Sequence, residues 1–290
     1  MAHIDGLWHA TVMGADYDRL LDPLRRLFGA VVMHDLTSED PRVGRRGGMV
    51  WLGDNSVEIG APVGERSPIR GFVERMGGGM HSIALRLPDV AAVAALRERL
   101  AADAVEVAVA LGDDVLFTHP RSTGGLMLEW SARRTDDDPR FGHELPAELP
   151  SERPPAVAPV ARYGFVTAVV ADPERTAEQL AGLFGTDVVR AVPGAAAGEI
   201  AAAVSLVDCM LVLFALPDGS GAWPWGTPPD RARFHGHGLV VDDLAASLDA
   251  LERVGVGVVA ELEDAVLLDP LALPVPTFLS ERPLAGDPRR

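Results

Sequence analysis

The feature that most constrains this chain is that it repeats itself. Residues 10–16 read ATVMGAD and residues 166–172 read VTAVVAD. Each is followed by the same tripeptide, Leu27-Phe28-Gly29 and Leu183-Phe184-Gly185, at a constant separation of 156 residues. Further on, LPDVAAVAALRERL from Leu87 matches VDDLAASLDALERV from Val241, 154 residues apart. Self-similarity at a fixed spacing marks a duplication, so the fold must be one that a half-chain can adopt twice. The copies run near 5–133 and 160–283. The length of 290 residues agrees, at about 150 residues per domain. The expected organisation is therefore a domain at 1–133, a linker at 134–159 rich in proline and acids, and a second domain at 160–290. His143 falls in the linker and reads as a solvated side chain.

Within a copy the pattern is strand, helix, then strands, given twice. His9–Met13 reads as a short strand. Asp16 caps a helix whose apolar positions Leu20, Leu21, Leu24, Leu27 and Phe28 keep helical spacing, and Gly29 ends it. Strands are predicted at Val31–His34, Met49–Leu52 and Ser56–Ile59. A second unit begins with a strand at Ser82–Leu87 and a helix over Val90–Leu100 behind Asp89. Strands near Val105–Leu111, Val115–Thr118 and Leu126–Trp130 complete it. The chain is thus read as four βαβββ units, an α+β protein.

Composition narrows the chemistry. All 26 basic residues are arginine, which excludes Schiff-base lysines and a lysine-bearing phosphate loop. The net charge of −16 argues against nucleic acid or an anionic membrane as partner. The single cysteine, Cys209, sits in an apolar run and reads as a small buried side chain, so neither an internal disulfide nor a thiolate zinc site is expected. The opening MAHIDGLWHA lacks a signal-peptide pattern, and prolines and Asp208 break the apolar runs before membrane-spanning length. The expectation is a cytoplasmic protein with no membrane partner.

Two stretches of the first copy, SVEIGAPVGERSPIRGFVERMGGGMHSIALRLPDV and FTHPRSTGGLMLEW, resemble the methylmalonyl-CoA epimerases. Those enzymes belong to the vicinal oxygen chelate superfamily, with glyoxalase I, extradiol dioxygenases and antibiotic-binding resistance proteins. The resemblance covers about residues 5–131. It implies that paired βαβββ units close into a cup of sheet around a divalent metal, and hence two cups in this chain. The implied metal slots fall on His9, Glu58, Ser82 and Glu129. His9, Glu58 and Glu129 are sound ligands for Mn, Co, Ni, Zn or Fe. The third slot departs from the family, whose histidine there is replaced by Ser82, with His81 one residue early. Strand alternation puts Ser82, Ala84 and Arg86 on the cup face and His81 on the other, unless a bulge turns His81 inward.

A second departure concerns proton transfer. The resemblance places a non-ligand base of the epimerases at the position of Arg42, and a guanidinium cannot accept a proton. Epimerisation needs proton exchange on both faces, so a strict methylmalonyl-CoA epimerase is not expected. The implied catalytic set is Glu129 as proton-transferring carboxylate, with Arg86 and Arg42 as receivers of anionic oxygen. The expected function is a divalent-metal-assisted isomerase or lyase that enolises a small-molecule carbonyl substrate, an acyl-CoA or polyketide-like metabolite, in a protein that could pair as a homodimer. Two alternatives stay open: a metal-free small-molecule-binding protein of the same fold, and an extradiol-type dioxygenase.

The second copy offers no such site. Its slots fall on Phe165, Val212 or Leu213, Gly236 and Leu279. His235 and His237 are read as a loop or turn pair rather than a chelate. The half is either a scaffold or an apolar pocket bordered by Trp223 and Trp225.

Overall fold

The computed structural model describes residues 3–40, 43–133, 154–192, 195, 199–216, 230–262 and 264–290. The first half runs β1 (Gly6–Met13), α1 (Tyr17–Phe28), β2 (Val31–Ser38), β3 (Arg45–Leu52), β4 (Asn55–Pro62), α2 (Arg70–Met76), β5 (Gly79–Arg86), α3 (Val90–Ala102), β6 (Val107–Leu111), β7 (Val115–Thr118) and β8 (Met127–Ser131). The second half runs β9 (Val160–Val170), α4 (Pro173–Phe184), β10 (Val188–Ala191), β11 (Ile200–Ser205), β12 (Met210–Ala215), β13 (Arg233–Val241), α5 (Leu244–Arg253), β14 (Val258–Glu261), β15 (Val266–Leu268) and β16 (Thr277–Ser280). Each half forms one eight-stranded sheet, ordered β2-β3-β4-β1-β5-β8-β7-β6 and β10-β11-β12-β9-β13-β16-β15-β14. The two orders are the same, strand for strand. This is the α+β architecture of repeated βαβββ modules, each half being a vicinal-oxygen-chelate cup.

Local chemistry starts and stops the helices. The Asp16 carboxylate accepts from the backbone N–H of Asp18 and Arg19, and α1 ends at Gly29 in the left-handed conformation. Asp172 and Gly185 do the same for α4. The inward faces of these helices lie on the convex sides of the sheets, among Ala10, Val12, Val57, Ile59, Ile83, Leu85, Leu128 and Trp130. That core is continuous with the second half through Tyr163, Val166 and Phe184. Trp130 is fully buried with its ring 5.6 Å from that of Phe184. Burial of each such side chain contributes about 1.5–3 kcal/mol.

The halves also exchange polar contacts in a reciprocal way. Asp208, in the β11–β12 turn, accepts from the Leu7 N–H of β1 at 2.9 Å. Asp54, in the β3–β4 turn, accepts from the Tyr163 N–H of β9 at 2.8 Å. The residue before each aspartate has positive φ, +71° at Gly53 but +75° at Val207. A β-branched residue is strained there, whereas glycine is not.

The concave faces differ. The second cup is packed with Phe165, Val212, Phe214, Leu267 and Phe278. Phe165 faces Gly238 across the sheet, and a Cβ at Gly238 would lie 2.1 Å from the Phe165 ring. Ring and glycine fill that space together. Trp223 and Trp225 lie outside the described residues. His235 and His237 are on strand β13 rather than in a loop or turn, and they do not converge: His235 Nδ1 lies 3.4 Å from the Thr167 hydroxyl, while His237 Nε2 lies 3.2 Å from that of Thr277. Burial lowers the pKa of His237 to about 4 and that of His235 to about 3.

Two stability predictions come from these contacts. Val207 is solvent-exposed, so Val207→Gly removes backbone strain at little packing cost; the urea midpoint should rise, by about 1 kcal/mol of stability. An unchanged or lower midpoint would contradict the strain argument. His237 is held neutral when folded but titrates near 6.5 when unfolded, so its contribution is intact above that pH. It is lost as pH falls toward about 4, below which it is flat, at roughly 1.4 kcal/mol per pH unit. His237→Gln should flatten the measured stability slope between pH 6.5 and 4 by about one proton, and an unaltered slope would refute it.

Candidate functional site

The four central strands of the first sheet, β4-β1-β5-β8, carry the polar residues of its cup. Strand alternation does the sorting: Ala10, Val57, Ile83 and Leu128 turn to the core, so His9, Glu58 and Glu129 turn to the concave side. There they meet. His9 Nε2 lies 3.5 Å from Glu58 Oε2 and 3.9 Å from Glu129 Oε2, with all three side chains almost wholly buried. The Thr11 hydroxyl donates to Glu58 Oε2 at 3.2 Å. Trp8, Met33, Met49 and Ala84 form the apolar wall.

The third slot behaves differently from its reading by strand alternation. Pairing between β1 and β5 steps from Thr11↔Ser82 to Val12↔Met80, which leaves His81 as the extra residue of a β-bulge. Ser82 stays on the cup face. His81 is turned inward as well: its Nδ1 lies 3.1 Å from Ser82 Oγ, and its ring stands edge-on to Phe72 of α2 at 4.8 Å. Phe72 packs with Met13, Ile69 and Val73, so α2 covers this end of the cup. Burial lowers the His81 pKa to about 4, with Glu58 acting to raise it and Arg45 to lower it. The expectation that His81 points away is corrected by the bulge. A bulge leaves no mark in a hydrophobic pattern.

Arg86 is also corrected. It pairs with Gly6 at the far end of β5, half exposed, and its guanidinium lies 3.8 Å from Asp208 and donates to the Asp5 carbonyl. It serves the junction between the halves, not the cup. Arg42 lies outside the described residues.

The arginine of the cup is Arg45. Its guanidinium makes a short contact with Glu58 Oε1, leaving Oε2 toward His9. Arg45 pairs with Pro62 at the end of β3, while Glu58 pairs with Met49, so the side chain reaches along the strand past Gly47. A Cβ at Gly47 would stand 3.3 Å from Arg45 Nε. The missing side chain opens the path. Arg46 turns the other way, onto the Tyr17 ring at 4.2 Å and to Asp18 and Asp35. The signal in the sequence is an arginine two positions before a strand glycine, with apolar Met49 on the same face. Beside the Arg45 end lies a cavity of about 590 Å³ lined by Glu39 and Val63–Ser67. A larger one of about 680 Å³, between the start of α1 and Leu271–Pro274, contains neither carboxylate.

An imidazole and two carboxylates are a donor set suited to a borderline or hard divalent cation. With bonds near 2.1 Å, such donors stand about 3–4 Å apart, as His9 stands from each glutamate here. Among the described residues no group of three or more His, Cys, Asp or Glu side chains stands so that it could hold a metal ion as placed. The three residues fit in type and in the distance of each carboxylate from His9, while Glu58 is held by Arg45. In the second half the same registers put Phe165 at the place of His9, Val212 at that of Glu58 and Gly236 at that of Ser82. The place of Glu129 falls on Phe278, not on Leu279, because Gly238 pairs with Phe278 as Ala84 pairs with Glu129. An iron site in this half, as the dioxygenase reading needs, has no ligands among these residues.

No family model matches the chain. The human mitochondrial methylmalonyl-CoA epimerase is 30% identical over 126 residues, covering 42% of this chain and 70% of that protein. The ethylmalonyl-CoA/methylmalonyl-CoA epimerase of Cereibacter sphaeroides is 30% identical over 134 residues, covering 43% of this chain and 96% of that protein. Among solved structures, the Mycobacterium tuberculosis methylmalonyl-CoA epimerase overlays with a TM-score of 0.38 at 23% identity, over 45% of this chain and 89% of its own. A Streptomyces coelicolor epimerase variant in complex with 2-nitronate-propionyl-CoA gives 0.39 at 22%, over 47% and 99%. By its resemblance to these curated relatives, one of them matched over nearly its full length, the chain belongs to the methylmalonyl-CoA epimerase family of vicinal oxygen chelate proteins.

Proposed function

We propose that the first half is a divalent-metal-assisted isomerase or lyase that enolises a carbonyl compound, with His9, Glu58 and Glu129 holding the cation. The observation that carries this reading is the meeting of those three side chains inside a water-excluded cup. A divalent cation held there supplies Lewis-acid polarisation of a ligand carbonyl. Thr11 and Arg45 fix the Glu58 carboxylate by hydrogen bonds, which sets the orientation of the oxygen left facing His9. Glu129, also beside His9, takes the proton from the carbon next to the carbonyl. Trp8, Met33 and Met49 keep water from that carbon.

One-sided chemistry is the finer part of the proposal. Arg42 stands where the resemblance puts a second base, and a guanidinium holds its protons at any working pH. The substrate class is a small carbonyl compound, with acyl-CoA esters the first to test because the relatives are named for them. A second reading, a metal-free binding protein, draws on Ser82 in the third slot and on the finding that, among the described residues, no group of three or more His, Cys, Asp or Glu side chains could hold a metal ion as placed.

Incubation with methylmalonyl-CoA in deuterated water tests the reaction. The expected outcome is exchange at the α-carbon without racemisation at an enzymatic rate, and a loss of exchange on the order of a hundredfold in Glu129→Gln. Elemental analysis should find about one divalent ion per purified chain and much less in Glu129→Ala. Rapid loss of configuration would mean that another group supplies the second base. Tight ligand binding with neither exchange nor metal would establish the binding-protein reading instead.

A further inference from the structure

Each eight-stranded sheet is open, so it ends in two edge strands, and the four edges are β2, β6, β10 and β14. The outward backbone groups of such an edge template further strand pairing unless something blunts them. All four edges bear a bulge where they join their neighbour, at Val32/His34, Val107/Val109, Val188/Arg190 and Val258/Ala260. Three of them also carry a charged side chain within the strand: Asp35 in β2, Arg190 in β10 and Glu261 in β14. The fourth, β6, reads VAVAL, with no charge and no proline, and all five of its residues are exposed. Its bulge lies at the Val107 end and leaves Val109–Leu111 in even register with Phe117–Val115. Charge guards every edge but this one.

We propose that β6 is a docking edge for a second copy of this chain, paired antiparallel about a two-fold axis at Val109, so that the two first-half sheets join into one. Three observations point to a second copy. First, the strand is apolar read in either direction, and the two-fold sets Val109 beside its own copy and Val107 beside Leu111. Second, the flanks match in charge in that register. Glu106 of one copy falls opposite Gly112 of the other, whose carbonyl accepts from the Arg97 guanidinium at 2.6 Å. Asp113 of one copy falls opposite Val105 of the other, beside Arg121, whose guanidinium is 69% exposed and 3.1 Å from Glu106. Each end of the strand pair thus brings together two opposite-charge contacts, Glu106 with Arg97 and Asp113 with Arg121. Third, copies of a chain with a net charge of −16 repel over most of their surface, and an uncharged strand with mixed flanks is where approach costs least. Five strand residues a side fall short of the roughly 20–30 of a standard interface, so the pair is weak and forms with rising concentration.

The test is sedimentation velocity of the full chain from micromolar to millimolar concentration, at about 0.15 M salt, where a Debye length of about 8 Å screens the distant charges. Wild type should pass from monomer to dimer across that range, and hydrogen exchange at the Val107–Leu111 amides should slow as it does. Val109→Lys puts two ammonium groups side by side at the axis and should weaken dimerisation by about tenfold or more. Val109 is 48% exposed, so circular dichroism should show that this variant keeps its fold. Asp113→Arg should also weaken the dimer, and Asp113→Arg combined with Arg121→Asp, which exchanges the charges, should recover most of the loss. A wild-type chain that stays monomeric throughout would overturn the proposal. Dimerisation that Val109→Lys leaves intact would overturn it too, because another surface would then carry the contact. Slow exchange at the β6 amides in the dilute monomer would do the same, since a segment of the same chain would then cover the edge. A double variant no better than Asp113→Arg alone would overturn the proposed register.

Discussion

Two carboxylates brought to the same nitrogen of a buried histidine are the constraint on which the first half depends. Burying an ionised carboxylate costs several kcal/mol unless positive charge and hydrogen bonds replace its water. Glu58 receives both, from Arg45 and from the Thr11 hydroxyl. The strand that delivers Arg45 must then lack a side chain at residue 47, which is glycine, and must run beside the strand of Glu58. The order β3-β4-β1 satisfies this. The polar site is thus held by sheet register: Thr11 lies two residues from His9 and directly across from Glu58 and Ser82, Glu129 is paired with Ala84, and Arg45 reaches in from the end of β3.

The second half solves the opposite problem. Its cup has the same strand order but is closed by three phenylalanines, Phe165, Phe214 and Phe278, where ring packing replaces ion pairing. That filled cup gives the second sheet a core on both faces. Through Tyr163, Val166 and Phe184 it also supplies part of the convex core of the first. The reciprocal aspartates at the two hairpin turns clamp the first central strand of each half to the other. A cup whose centre holds charged groups stores less packing energy than an apolar one, and the division between halves compensates for that.

Much of this was legible in the sequence because it rests on periodicity and caps. Asp16 and Gly29 bracket α1, Asp89 precedes α3, and the 156-residue separation aligned the second copy with the first. His9, Glu58 and Glu129 could be placed on one face because their neighbours are apolar and alternate. What was hidden depends on backbone geometry or on long reach. Helix α2 has seven residues and no side-chain cap, so its sequence carries no start signal. Arg45, in RRGGMV, is one of two adjacent arginines, and only the fold decides which turns inward. Arg86 keeps the parity of Ser82 and Ala84, yet the strand has by then reached the second half, where Asp208 waits.

The bulge at His81 shows how shape and chemistry are separable here. The second half has a bulge at the same point, where pairing steps from Thr167↔Gly236 to Ala168↔Phe234 and leaves out His235. Among the described residues its cup holds no charged donor set, so metal binding is not what the two bulges share. Both bulges bend the strand that closes the cup, and a bend of this kind belongs to the sheet. His235 meets the hydroxyl of Thr167, the residue at the place of Thr11. The inward turn of His81 therefore goes with a sheet curvature that both copies share. The Ser82 hydroxyl adds no charge to the cup, whose charged side chains among the described residues are Glu58, Glu129 and Arg45.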